Sequence, residues 1–213
     1  DIGVSSLQLD AAERGFSFLR DGPLDMRMSP RLGGQSAKDL VNTADEAELR
    51  RIISEFGEEP LAGRIAGAII SARRAASITG TAQLARIVEE AYPAKWRATA
   101  RNHPATRTFQ ALRMAVNDEL GELREFLGKI PRFLKPGGRL VVLTFHSLED
   151  RLVKSAFREG AASCLCPPQL LQCVCGHSPV YEILTRKPVT ASADEVKGNP
   201  RAGSAKLRAV KRI

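Results

Sequence analysis

The segment Leu140-Val141-Val142-Leu143-Thr144-Phe145 constrains this chain more than any other. It is a continuous apolar run rich in Val and Leu, it follows the turn Lys135-Pro136-Gly137-Gly138, and it reads as a strand buried on both faces. Helical patterns flank it. Upstream, Phe109, Leu112, Val116, Leu120, Leu123, Leu127 and Ile130 step by three or four residues. That spacing predicts one long helix, ending at Pro131, whose apolar face packs along its whole length. Downstream, Ser147-Leu148-Glu149-Asp150 fits a capping box opening a helix with Leu152, Val153, Ala156 and Phe157 inward. Helix, buried strand, helix is the repeat of a doubly wound parallel sheet, so an α/β fold is expected.

The first part of the chain has a different texture. Ile2 and Val4 read as the tail of a strand, followed by a loop of the small residues Gly3, Ser5 and Ser6. Residues 7–35 are rich in Gly, Asp and Pro and lack a sustained period, which predicts a long ordered loop or a loop with short helices. Residues 36–105 read as an all-helical unit. Thr43 to Glu46 fits a capping box, Leu49, Ile52, Ile53 and Phe56 form a first apolar face, and Leu61, Ile65, Ala68 and Ile69 a second. Thr81 is expected to cap a third helix carrying Leu84, Ile87, Val88 and Ala91. Trp96, the only tryptophan, ends this unit.

Of the 213 residues 43% are hydrophobic, enough for a packed core. No apolar run approaches the length needed to cross a bilayer, and the first residues show no secretory-signal pattern. A cytoplasmic protein with reduced thiols and no membrane partner is expected. The net charge of +8 is uneven: residues 186–213 hold eight basic and two acidic side chains. Between Lys95 and Arg113 there are five basic residues and no acid. Such local fields attract polyanions, nucleic acid being the commonest.

In open α/β sheets ligands lie beyond the carboxyl ends of the strands. Two segments reach that edge in this reading: Asp1 with the loop after it, and Phe145-His146-Ser147 with Glu149 and Asp150. His146 faces a bound base or is satisfied by the cap of the following helix; for Glu149 and Asp150 capping is an adequate account. Arg113 and Asn117 lie four apart on one helix edge, where they grip a phosphate or base edge or form a salt-bridged flank. Cys164, Cys166, Cys173 and Cys175, with His177, invite a zinc hypothesis. Their one-residue spacing argues against it, so no metal is expected and the segment reads as a partly ordered reduced loop. There is no glycine-rich phosphate loop, nucleophile elbow or pair of metal-binding histidines.

Seven stretches, in order along the chain, resemble the bacterial 16S ribosomal RNA cytosine-N4 methyltransferase family of the MraW type. They are residues 1–10, 13–18, 21–28, 103–113, 116–120, 145–151 and Asn199-Pro200-Arg201. The resemblance implies a Rossmann-like class I methyltransferase core formed by residues 1–35 and 106–213, with residues 36–105 as an inserted helical domain that helps to hold RNA. It implies S-adenosylmethionine as cofactor, contacted by Asp1 and Gln8, and methyl transfer to a cytosine amine of 16S RNA, free or in the small ribosomal subunit, near the decoding centre. Asp1 and His146 are candidate acceptors at that amine, and Arg107, Arg113 and Asn117 candidate RNA contacts. The family's glycine-rich cofactor loop and acidic ribose contact precede the point where this chain starts, so a core incomplete at its N-terminus is expected. Ser29 stands where the family usually has Asp, and Gly203 where Arg is usual. A non-catalytic RNA- or ribosome-binding remnant is the alternative. A DNA amino-methyltransferase lacks its Asp/Asn-Pro-Pro-aromatic motif here.

Overall fold

The computed structural model describes residues 3–99, 102–167, 169–170 and 172–213. The chain divides into two compact units, Asp1–Glu119 and Leu120–Ile213.

The first unit is helical. It contains α1 (Ser6–Asp10), α2 (Ala37–Thr43), α3 (Glu46–Gly57), α4 (Ala62–Ala75), α5 (Thr81–Ala91), α6 (Ala94–Thr99) and α7 (Ala105–Asn117), with short 3-10 turns at Ala12–Arg14 and Pro30–Leu32. The helical spacing of the apolar residues explains the core. Leu49, Ile52 and Ile53 of α3, Ile65 and Ile69 of α4, Leu84 and Val88 of α5, and Phe109 and Leu112 of α7 are all buried in one cluster. Each such side chain contributes about 1.5–3 kcal/mol through removal from water. Phe16, Leu24 and Met26 enter the same cluster, so the segment before residue 35 is a packed loop with short helices.

Several helix starts differ from expectation. Thr43 closes α2, and the cap of α3 is Asp45, whose carboxylate accepts the Glu48 N–H at 2.8 Å. Helix α2 has its own reciprocal box: Ser36 Oγ accepts the Asp39 N–H at 3.1 Å, and Asp39 accepts the Ser36 N–H at 3.0 Å. At α5 the cap position is Gly80, and Thr81 is the first helical residue. The missing cap comes from Asp21, whose Oδ1 accepts the Ala82 N–H at 2.9 Å. That bond is the largest influence holding the Asp21 carboxyl below its usual range.

The single long helix expected from Phe109 to Ile130 is two helices. Asp118 adopts a left-handed conformation (φ 45°) between α7 and α8 (Glu119–Lys129). Asp and Asn tolerate that conformation better than most residues. The apolar period runs on across the break, which is why the sequence hides it.

The second unit contains most of α8, then β1 (Arg139–Thr144), α9 (Ser147–Ala161), β2 (Tyr181–Ile183), β3 (Val189–Thr190), α10 (Ala193–Gly198) and β4 (Lys206–Arg212). The sheet order is β1-β4-β2, with β3 also on β4, and every pairing is antiparallel. The parallel arrangement inferred from helix, strand, helix is therefore not what the described residues form. Nor is β1 buried on both faces. Leu140, Val142 and Thr144 are buried, whereas Val141, Leu143 and, just beyond, Phe145 are about half exposed. The basic C-terminal segment is not a loose tail: β4 is the central strand, and Leu207 and Val210 face Leu143 and Leu140 in the β1 register. The core of this unit joins Leu123 and Leu127 to Leu140, Val142, Val153, Phe157, Tyr181 and Val210. Among the described residues no helix is long and apolar enough to cross a membrane.

Candidate nucleic-acid interface and neighbouring polar sites

In the first unit the segment between residues 14 and 28 is fixed from several directions. Gly15 sits at φ 71°, and a Cβ there would lie 2.1 Å from the Pro23 carbonyl oxygen. Met26, fully buried, adopts φ 61°. A left-handed conformation costs an ordinary residue about 1–2 kcal/mol, so the surroundings must hold it. They do: the Met26 N–H donates to the Arg14 carbonyl at 3.1 Å, and its own carbonyl accepts Asn117 Nδ2 at 2.7 Å. Asn117 Oδ1 accepts the Met28 N–H at 2.7 Å, and Nδ2 also donates to the Arg113 carbonyl at 2.8 Å. Arg14 Nη2 donates to the carbonyls of Arg27 and Met28 at 2.9 and 3.0 Å. The Arg27 guanidinium chelates Asp25 and holds that carboxyl below its usual range.

Asn117 is thus a clamp on this loop, its carbonyl oxygen and amide nitrogen both engaged by protein. Arg113 is similarly committed: Nε and Nη2 donate to the two carboxylate oxygens of buried Glu119 at 2.7 and 3.0 Å. The pair expected to grip phosphate corresponds here to the salt-bridged flank.

Arg107 has a different setting. Its Nη1 donates to the Glu58 carbonyl at 3.0 Å, and its side chain lines a hollow of about 390 Å³ with Glu59, Pro60, Tyr92, Trp96 and His103. Glu59 is buried and accepts a 2.5 Å hydrogen bond from the Tyr92 hydroxyl; burial first, then this bond, pushes the phenol above its ordinary range. Trp96 keeps 46% of its surface exposed. His103 packs against Phe18 with ring centroids 4.6 Å apart. Exposed indole beside a guanidinium is suited to an unstacked base next to its phosphate. Sequence reasoning noted Trp96 and the basic stretch separately but missed Tyr92 and Glu59. The recurrence of aromatic residues at Tyr92 and Trp96, four residues apart across the junction of α5 and α6, was the available signal.

Gln8 lies half-buried in α1, where Ser5 N–H donates to its Oε1 at 2.8 Å and Ser5 Oγ accepts its N–H at 3.3 Å. Asp1 lies outside the described residues, and so does its expected juxtaposition with His146.

In the second unit His146, rather than Ser147, is the cap of α9. Its Nδ1 accepts the Glu149 N–H in a long 3.4 Å bond, while Glu149 Oε2 accepts the N–H groups of Phe145 at 2.9 Å and His146 at 3.3 Å. An accepting Nδ1 leaves the ring proton on Nε2, which lies 3.2 Å from Glu149 Oε1 without hydrogen-bond alignment. Asp150 is not a cap. Its oxygens accept Arg208 Nε at 2.6 Å and Nη2 at 3.1 Å, with Lys206 Nζ at 3.6 Å.

The cysteines depart most from expectation. The four sulfurs all lie within 4.8 Å of one another. The one-residue spacing within each pair argues against a zinc knuckle, yet the two Cys-X-Cys segments fold against each other and bring all four sulfurs together.

The family model of the MraW methylase family matches residues 1–213. Over all 213 residues the chain is 65% identical to the ribosomal RNA small subunit methyltransferase H of Nitratidesulfovibrio vulgaris (strain DP4). It is 62% identical to the protein of that name from Solidesulfovibrio magneticus. In both cases it spans 66% of the relative's length. The corresponding protein of Lawsonia intracellularis is 53% identical, with 68% of its length covered. With a full-length family match and relatives at these identities, the chain belongs to the MraW methylase family.

Proposed function

We propose that this chain acts in S-adenosylmethionine-dependent methylation of the N4 amine of a cytosine in 16S ribosomal RNA, near the decoding centre. The observation that carries this reading is the unbroken family match over residues 1–213 to relatives named as ribosomal RNA small subunit methyltransferases. Its fold counterpart is a Rossmann-like core to which β1, β4 and β2 belong, with the helices of residues 36–105 as the inserted RNA-holding domain.

The cofactor supplies a methyl group on a sulfonium that is already electrophilic, so the protein's task is alignment. The segment from Gly3 to Gln8 suits a close-fitting ligand. A Cβ at Gly3 would meet nothing within 4 Å, and Ser5 and Ser6 are exposed. Asp1 and Gln8 are the residues that would hold the cofactor; Gln8 Oε1 already takes the Ser5 N–H, so its amide nitrogen is the donor for this purpose. The cytosine amine is a weak nucleophile because its lone pair is delocalised into the ring, and a side-chain acceptor at its hydrogens returns density to nitrogen. Asp1 has the chemistry for that acceptor role. His146, with Nδ1 accepting and the proton on Nε2, serves better to position the first turn of α9. The target base must leave its stack to react. Trp96 would stack on an unpaired base and Arg107 would neutralise a phosphate, while Asn117 holds the loop of Met26 and Arg113 is engaged by Glu119.

The test is transfer of a labelled methyl group to naked 16S RNA and to small subunits lacking the modification, with RNA affinity measured in parallel. Trp96→Ala is expected to weaken binding at least roughly fivefold, the lower end of the stacking contribution. Arg107→Glu is expected to lower the salt dependence by about one ion. RNA affinity without transfer to either substrate would refute catalysis and leave the binding role. Unchanged affinity in both variants would remove the hollow from the interface.

A further inference from the structure

We propose that Cys164, Cys166, Cys173 and Cys175 form a tetrathiolate site for zinc, which staples the segment joining α9 to β2. Residues 162–180 show no helix or strand among those described. A connection this long, inside a unit of fewer than a hundred residues, needs something other than a backbone ladder to fix it.

The sulfurs supply it. Cys164 and Cys173 lie 3.4 Å apart, Cys173 and Cys175 3.5 Å, Cys164 and Cys175 3.8 Å, and Cys166 and Cys173 4.0 Å. Zinc bonded tetrahedrally at about 2.3 Å sets its sulfurs about 3.8 Å apart. A disulfide needs about 2.05 Å, so none of these pairs is bonded. The one-residue spacing becomes an asset in locally extended chain, where residues two apart point to the same side. Each Cys-X-Cys segment then offers two sulfurs on one face and turns its middle residue outward; Leu165 and Val174 are 49% and 78% exposed.

Backbone amides complete the surroundings. The N–H of Leu165 points to Cys175 Sγ at 3.4 Å, that of Cys166 to Cys164 Sγ at 3.3 Å, and that of Val174 to Cys166 Sγ at 3.4 Å. Four thiolates around a divalent cation leave two negative charges, and such donors offset them. His177 does not belong to the cluster, which the four cysteines form by themselves; its Nε2 donates to the Glu159 carbonyl at 3.0 Å and ties the loop to α9. Soft sulfur donors select zinc over magnesium, calcium and manganese.

The test uses the whole chain, purified under reducing, oxygen-free conditions and reconstituted with zinc alone. One zinc per chain is expected, together with the visible bands of tetrahedral thiolate coordination after exchange for cobalt(II). Cys164→Ser and Cys173→Ser should each lose zinc to a competing chelator at least about tenfold more readily than the parent, and His177→Ala should retain it. The cobalt spectrum of the parent needs no variant, so misfolding of a cysteine variant leaves the proposal exposed to refutation. Reduced parent protein that takes up no zinc, that holds iron in its place, or whose cobalt form lacks the tetrahedral thiolate bands overturns it. So does a loss of zinc in His177→Ala equal to that in Cys164→Ser.

Discussion

Replacing Asp150 by alanine tests the polar seam between α9 and β4. The Asp150 carboxylate accepts two hydrogen bonds from Arg208, at 2.6 and 3.1 Å, and the two side chains are only 12% and 8% exposed. Removing the carboxylate leaves a guanidinium desolvated and unpaired in the central strand. Loss of one partner from such a pair costs about 3–5 kcal/mol, and the partly exposed Lys206 nearby argues for about 3. In a unit of this size that lowers the melting midpoint by roughly 12–24 °C. Replacing both residues by leucine should recover most of the loss, because no charge then remains to be desolvated. The pH dependence has a definite sign. Arg208, before any other influence, holds the Asp150 carboxyl below its usual range. Its stabilisation is therefore fully present above the unfolded value of about 3.9 and is lost as pH falls through the lower folded value. Thermal melts at neutral and acid pH, with hydrogen exchange at the β4 amides, measure both effects. An Asp150→Ala variant that melts within about 2 °C of the parent at neutral pH would refute the reasoning, since the buried pair would then carry no net coupling.

Two further substitutions probe the loop of the first unit. Asn117→Ala removes three hydrogen bonds, each worth about 1 kcal/mol net, and leaves the Met28 N–H without its acceptor. At least tenfold faster amide exchange at Met26 and Met28 is expected, and unchanged exchange there would show that other contacts hold the left-handed turn. Gly15→Ala must displace the Pro23 backbone oxygen, 2.1 Å from the new Cβ, and should destabilise by more than about 3 kcal/mol in chemical denaturation. Gly33→Ala separates clash from conformation: nothing lies within 4 Å of its Cβ, so its cost should be only the roughly 1–3 kcal/mol of its own glycine-favouring backbone (φ 77°, ψ −151°).

What could be read from the sequence was decided by whether one short-range signal stood alone. The faces of α3, α4 and α5 were legible because Leu49, Ile52 and Ile53, and their counterparts, repeat with no competing pattern. Helix starts were not, because capping residues compete: Asp45 takes the position that Thr43 also suits, and His146 the one that Ser147 suits. The α7–α8 break was invisible because the apolar stripe continues while a single residue, Asp118, reverses its φ. Strand β4 was hidden by its charge; Lys206, Arg208, Lys211 and Arg212 look like a solvated tail until Asp150 and Glu182 are seen to receive three of them. The same limit governs the sites. The identities of Arg113 and Asn117 are compatible with RNA or with protein partners, and only the positions of Glu119, Met26 and Met28 decide between them. The cysteine cluster required two segments to meet, which spacing along the chain does not encode.

The outward side of β1 has a practical consequence for anyone handling this chain. Val141, Leu143 and Phe145 form an oily ridge, and among the described residues the strand bonds to β4 alone. Such a rim will recruit any extended segment that offers matching amides and aliphatic groups. In concentrated samples the net charge of +8 opposes that association, and buffers rich in sulfate or phosphate, which screen the charge and strengthen apolar contact, favour it.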